Sequence, residues 1–570
     1  MKRWIAFAGI LFLGIAAVVV SERRKVDVSA SPAALLYLVA DTEQELTRMP
    51  VRFTRMSDAD EIRIGDELAK IYATQDNREE TPEVAIVEHY LTRVGGQVAR
   101  NAHRKLPYKF HYLPDPYMVN AFALPGGHVF VGGGLLTLMD SEDELAAVLG
   151  HEIEHIDHYH CAERVQREEA LRHLPLFGDL LSLPIEVFEA GYTKDQELEA
   201  DREGTRLSVD AGYSANGAIR MFEVFQRLYE AQHGKAKTPE EELSQLAQQS
   251  LEGYFRSHPL PSERIAQVQQ LIASEGWTAR PERDLAVAYI FWTAKAQQAL
   301  STRQYARAEQ LANQSLRLRP GQPKAFQVLA VARLAQANFS GAADAYRQIL
   351  EIDNTSHPEI ITAYAQALAA ADRKTAAAQF RQWADKVKGA RPREMDVASA
   401  GVELLAGNPE PSRTQESEFK GQFKGTGDSQ IAVWMAELGW WHYLAEDYPK
   451  ALDLLSDADQ LRPGHWDVRQ RMAWTQIEMR RYSDALNSID MQASSGERMT
   501  TMVRAVVHWR AQEQDDALRD LASVLIEQPE WENPAWVKGL YSPAVAQDIQ
   551  QMLALRKERA AQAAAKAAHR

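Results

Sequence analysis

Apolar positions recur at helical spacing over most of the chain. Between Asp60 and Ala102 they fall at Ile62, Ile64, Leu68 and Ile71, then at Val84, Ile86, Val87, Tyr90, Leu91 and Val94, which predicts helices. The pattern changes at Tyr108–Leu113, where alternation predicts a strand, and Pro114-Asp115-Pro116 ends it. Asn120–Leu124 reads as a second short strand, Pro125-Gly126-Gly127 as a turn, and His128–Val131 as a returning strand, so this region forms a small hairpin. Gly132-Gly133-Gly134 leads into an apolar helix around Leu135–Met139. Ser141, with Glu144 three residues on, makes a capping box, and the helix it opens runs through Leu145, Val148, Leu149, Ile153 and Ile156.

In the C-terminal half the pattern repeats. Tyr305, Ala308 and Pro320 recur 34 residues later as Phe339, Ala342 and Asn354, and Ala376 lies another 34 on. Tyr448-Ala451-Pro463 keeps the same internal spacing, Tyr482 and Ala485 follow 34 later, and Ala517 and Pro529 hold the Ala-to-Pro interval. This is the tetratricopeptide signature: helix pairs with a small residue where helices meet and a turn residue between repeats. Such pairs stack into an all-α solenoid with a concave surface for peptides or proteins. Copies between Lys388 and Ile431 are degraded, and the polar stretch 407–430 reads as a linker or an irregular repeat. The Ala-rich end, within a tail at 556–570, predicts a frayed helix.

The N-terminus carries Lys2 and Arg3, then sixteen residues without charge from Ile5 to Val20, then Ser21-Glu22-Arg23-Arg24-Lys25. This predicts a signal peptide or signal anchor over residues 1–30, and hence a periplasmic or exported body. A second apolar stretch, Leu171–Phe188, is broken by Pro175, Gly178 and Pro184; it reads as a core helix pair or as a lid or membrane-touching hairpin.

Composition narrows the chemistry. The chain of 570 residues has 64 Lys+Arg against 79 Asp+Glu, a formal net charge of −15, which argues against nucleic acid as a partner. Its apolar and charged shares, 45% and 25%, are those of a folded protein. The single cysteine, Cys161, excludes an internal disulfide and a Cys-based zinc site; it reads as small and partly buried. A metal centre would have to use His and carboxylates.

One segment offers that. His151-Glu152-Ile153-Glu154-His155 is H-E-x-x-H on the capped helix. Two histidines four apart share a face and can reach one ion, and Glu152 beside them can take a proton from a metal-bound water. The next requirement is a third ligand. Continuing the motif with a histidine fails, because that position is Cys161. The alternative is Glu197, with Asp201 one turn later to orient a histidine. Taken alone, such an E-x-x-x-D pair is more often a solvated acidic face. His158 and His160 read as a polar end of the motif helix, and His128 as an exposed strand position within possible reach of substrate.

These residues resemble the gluzincin metallopeptidases of family forty-eight, which include the type I CAAX prenyl proteases, HtpX and the periplasmic BepA-type proteases. The matching stretches are Asn120-Ala-Phe-Ala-Leu-Pro-Gly-Gly, Asp143–Glu152, His151–His155, Glu197–Asp201, and Ser257-His258-Pro259 followed by Arg264. The resemblance spans roughly Ile62–Ile272 and, with the repeats, is nearest to the BepA type. It implies one zinc ion per chain on His151, His155 and Glu197, Glu152 as general base, and Asp201 supporting a histidine. It implies that Asn120, Ala121, Phe122 and Ala123 pair with an extended substrate, and that His258 and Arg264 stabilise the reacting carbonyl. In BepA-like members the matching histidine can instead close the metal and hold the enzyme latent.

The expected architecture is thus α+β, mostly α: a zincin-type metallopeptidase domain with a small sheet over 31–280, then a repeat solenoid over 281–555. The expected function is a zinc metalloendopeptidase acting on misfolded or misassembled envelope proteins, its repeats recruiting substrate or the outer-membrane assembly machinery, with possible peripheral or anchored membrane association. The competing expectation is a chaperone or scaffold with a latent or structural metal site. A membrane-embedded prenyl protease would need several spanning helices, and the sequence offers one candidate.

Overall fold

The computed structural model describes residues 56–75, 81–115, 118–172, 192–232, 261–353, 358–387, 391–422, 429–490 and 500–568. The segment 1–30, residues 173–188 of the second apolar stretch, and His258 lie outside the described residues. The chain divides into two compact units, Met1–Val287 and Ala288–Arg570.

The first unit opens with α1 (Asp58–Gln75) and α2 (Pro82–Ala99), the latter started by the Thr81 side chain and Pro82. A three-stranded sheet follows: β1 (Lys109–Leu113), β2 (Ala121–Leu124) and β3 (His128–Gly132). β3 is central, parallel to β1 and antiparallel to β2. The hairpin expectation therefore holds for β2 and β3, and β1 adds a parallel neighbour. The β2–β3 turn passes through Gly126 and Gly127 at φ 75° and 106°. α1 presses on that turn so closely that a Cβ on Gly126 would meet the Ile62 Cα at 2.6 Å.

A short α3 (Gly133–Leu136) leads to α4 (Glu142–Asp157). The capping box is present: Glu144 N–H donates to Ser141 Oγ at 3.1 Å, and Ser141 N–H to the Glu144 carboxylate at 3.2 Å. The expected continuation of this helix through His158 and His160 fails. α4 ends at Asp157, Tyr159 takes a left-handed φ of 62°, and α5 (His160–Arg172) starts in a new direction. α6 (Lys194–Asp210), capped reciprocally by Thr193 and Gln196, crosses α4. α7 (Asn216–Gln232) and α8 (Pro261–Glu275) pack on that pair. The crossing is backbone against backbone: a Cβ on Gly150 would stand 2.4 Å from the Gly204 oxygen, and one on Gly204 would stand 2.6 Å from His151 N. Two glycines thus bring the segment that holds His151 against the one that holds Glu197 and Asp201.

The second unit is all helical. It runs α9 (Ala288–Ser301), α10 (Tyr305–Leu318), α11 (Pro323–Ala335), α12 (Phe339–Ile352), α13 (Pro358–Ala371), α14 (Arg373–Ala384), α15 (Arg393–Leu405), α16 (Glu410–Gln422), α17 (Ser429–Leu444), α18 (Tyr448–Leu461), α19 (Trp466–Glu478), α20 (Tyr482–Asp490), α21 (Thr500–Arg510), α22 (Gln514–Glu527), α23 (Pro534–Leu540) and α24 (Pro543–Ala568). Ala308, Ala342, Ala376, Ala451, Ala485 and Ala517 are all fully buried, as the repeat requires. Five helix pairs turn on a left-handed residue two positions before the second helix: Arg303, Ala337, Glu446, Arg480 and Gln512. Within 407–430, Glu410–Gln422 is a helix whose Phe419 is fully buried, and 423–428 lie outside the described residues. The C-terminal tail is the end of the long α24. Among the described residues no helix is long and apolar enough to cross a membrane.

Candidate metal centre

α4 and α6 bring three donors to one point. His151 Nε2 lies 3.1 Å from His155 Nε2, 3.4 Å from one Glu197 oxygen, and His155 Nε2 lies 3.6 Å from the other. All three residues are buried, Glu197 completely. Two imidazole nitrogens and a carboxylate with converging donor atoms are the protein half of a catalytic divalent site, leaving room for a fourth ligand. The residues present therefore fit a metal.

Each histidine is held from behind. Asp201 Oδ1 lies 2.9 Å from His151 Nδ1, which turns Nε2 toward the centre. Burial works against charge on His151, but the Asp201 and Glu197 carboxylates outweigh it and push its pKa up. The pair of carboxylates makes this point attractive to any cation. His155 is backed differently: its Nδ1 lies 3.0 Å from His160 Nδ1, His160 Nε2 lies 3.4 Å from Glu199, and Tyr192 stacks on the His155 ring at 3.8 Å. His160 is buried, not a polar helix end. Its role was hidden because the left-handed turn at Tyr159 swings it back, and no spacing rule announces that turn.

Arg264 donates from Nε to Asp201 Oδ2 at 2.7 Å and from Nη2 to Oδ1 at 2.5 Å. Burial would raise the Asp201 pKa, but Arg264 holds that carboxyl below the usual range. This places Arg264 behind Asp201, with its guanidinium 3.4 Å from His151 Nδ1. Arg264 thus holds Asp201 in place and at the same time lines the cleft beside His151 and Glu152.

Glu152 is buried beside the donors. Burial pushes its carboxyl up to about 7, with His151 opposing and Glu197 adding to the rise, and a backbone hydrogen bond from Ala123 opposing it. A carboxyl poised there suits proton transfer near neutral pH. Glu152, His151, Asp201 and Arg264 line a cleft closed by Ala121, Leu135 and Phe222.

β2 is an edge strand of the sheet. Gly132 N–H donates to Asn120 O at 2.9 Å, so strand alternation turns the Ala121 and Ala123 backbone groups outward and those of Phe122 toward β3. Ala123 is already engaged, its N–H by Glu152 and its oxygen by the Cys161 thiol at 3.7 Å. Asn120 is half-buried, and its Oδ1 has no hydrogen-bond partner. His128 is not exposed: it is 3% accessible, bonded through its two nitrogens to His111 and Asp66 at 2.9 Å each, and ties α1 to the sheet.

Residues 85–272 match the model for Peptidase family M48, and residues 442–494 match one for the tetratricopeptide repeat. A stretch of 203 residues is 32% identical to a putative beta-barrel assembly-enhancing protease of Vibrio cholerae, covering 32% of this chain and 38% of that one. The beta-barrel assembly-enhancing protease of Yersinia pestis is 28% identical over 201 residues, 32% of this chain and 38% of its own. The mitochondrial metalloendopeptidase OMA1 of Schizosaccharomyces pombe is 30% identical over 205 residues, 33% of this chain and 53% of its own. The chain thus spans well under two thirds of the length of each of these relatives.

Proposed function

Starting from a chain that carries a family M48 peptidase domain and tetratricopeptide repeats, we propose that it is a zinc-dependent endopeptidase of exported proteins. The observation that carries this reading is the convergence of His151, His155 and Glu197 beside a buried Glu152 whose carboxyl sits near 7. A zinc ion on those three side chains would polarise the scissile carbonyl and acidify a bound water. Glu152 takes the proton of the attacking water and returns it to the leaving amine. Asp201 keeps His151 oriented, His160 does the same for His155, and Arg264 fixes Asp201. An extended substrate lies along the outer edge of β2, where Ala121 supplies outward backbone groups and Asn120 Oδ1 an acceptor. His258 serves as a gate or a carbonyl donor, by the family resemblance. Export through the N-terminal segment, and clients among envelope proteins in β-barrel assembly, follow from that segment's pattern and from the names of the bacterial relatives. The repeats recruit those clients or the assembly machinery.

The test is Glu152→Gln in the full chain, with cleavage of an unfolded protein as readout. Activity falls on the order of a hundredfold or more, with metal content unchanged. Undiminished cleavage would overturn the reading in favour of a scaffold that only holds its clients.

A further inference from the structure

The last turn of α4 gathers a second set of donors. Glu154, Asp157 and His158 each offer one ligand atom within 4.8 Å of the others. None of them belongs to the centre formed by His151, His155 and Glu197. Glu154 is 1% exposed, and its Oε1 has no hydrogen-bond partner. Its Oε2 is paired with His158 Nδ1 at 2.5 Å. A buried carboxylate oxygen left without a hydrogen bond carries a desolvation penalty, which a coordinated cation removes.

The surroundings are built as metal ligands are. Asp157 accepts from the main-chain N–H of Arg104 at 2.6 Å and of His103 at 2.8 Å, and its Oδ2 lies 2.9 Å from His103 Nδ1. Those three bonds fix the carboxylate as an outer shell fixes a ligand. The helix C-terminus adds its negative end. With a neutral imidazole the cluster carries two negative charges, which one divalent ion balances. The His158 side chain is 31% exposed, so the remaining coordination positions open to water.

We infer that Glu154, Asp157 and His158 form a second divalent-cation site, and that its two carboxylates and one imidazole select a zinc-like ion over calcium or magnesium. The inference stands apart from the peptidase reading, because it uses none of its ligands.

The test is metal stoichiometry. Full-length protein is stripped with a chelator and titrated with Zn2+ alone. Two equivalents bind to the natural chain, and one to Glu154→Gln/His158→Gln. A chain with the first centre disabled, His155→Gln, retains one. A single equivalent in the natural chain, or two in the double variant, overturns the inference and leaves a Glu–His ion pair only. If the double variant loses its helical circular dichroism, His158→Gln in the His155→Gln background decides. There the half-exposed histidine is removed alone, and affinity for Zn2+ falls at least on the order of tenfold; unchanged affinity rejects the site.

Discussion

The two units bury different things. In the peptidase unit, Glu61, Arg104, Glu142, Asp143, Glu144, Glu152, Glu154, Asp157, Glu197, Asp201 and Arg264 are all under 9% exposed. Among the described residues of the repeat unit, Glu403 is the one buried carboxylate or guanidinium, and the core is alanine, branched aliphatic side chains and aromatic rings. Buried ionic groups are poor stabilisers compared with apolar packing of the same volume. The repeat unit is held chiefly by apolar packing. The first unit buries charge both around the candidate metal centre, as with Asp201 and Arg264, and in structural pairs such as Glu61 with Arg104, and it accepts a more fragile core in return.

The hardest way to break that contrast is Asp201→Asn. It leaves the Arg264 guanidinium, 2% exposed, facing an amide, and it takes the charge away from His151. Breaking such a buried pair costs about 3–5 kcal/mol, and losing the histidine's support lowers metal affinity about 10–100-fold. Chemical denaturation and Zn2+ titration read the two effects. A variant as stable and as avid as the natural chain would mean that the buried network is ornamental.

Two glycines sharpen it further. Gly204→Ala drives a methyl into the His151 backbone, and no side chain is there to yield. It should cost about 3 kcal/mol, the upper part of the overpacking range, and weaken metal binding, since the α4–α6 crossing sets the donor spacing. Gly401→Ala in α15 meets the Trp441 indole instead, at 2.2 Å. That ring is fully buried and meets the methyl through its inner atoms, so it has little room to yield. The cost is again about 3 kcal/mol, but with metal content untouched. Metal loss in both variants, or in neither, would erase the distinction between a crossing that positions chemistry and one that only packs.

Much of this was readable from residue spacing. Helix period, the Ser141–Glu144 box, H-E-x-x-H and the buried alanines of the repeat all act through local geometry, so their positions carry over directly. What stayed hidden depends on chain direction. Tyr159, Arg303, Ala337, Glu446, Arg480 and Gln512 take left-handed backbone without being glycine, so composition gave no turn signal. The reversal at Tyr159 is what converts His160 from a polar end into the partner of His155. In the same way His128 looked exposed on an alternating strand, while α1, packing from far away in sequence, covers it through Asp66. Arg264 matched a motif, but its reach to Asp201 required knowing where α8 lies.

The smallest effect tests whether the repeat unit holds any titratable weak point of its own. His442, near the end of α17, lies buried between Ser412 Oγ at 2.8 Å from Nε2 and Asp447 at 3.1 Å from Nδ1. Burial lowers its pKa; Asp447 and Glu416 oppose that and Lys450 adds to it. The unfolded chain, with an ordinary histidine near 6.5, therefore takes up a proton before the folded chain does. Stability contributed by neutral His442 is complete above about pH 6.5 and is lost as pH falls through the lower folded value. His442→Gln keeps a partner for Ser412 without the titration. Between pH 7 and 5.5 the melting temperature of the natural chain should fall more steeply than that of the variant. Parallel curves would show that the repeat unit's stability is indifferent to this histidine's charge, leaving pH sensitivity wholly to the charged core of the peptidase unit.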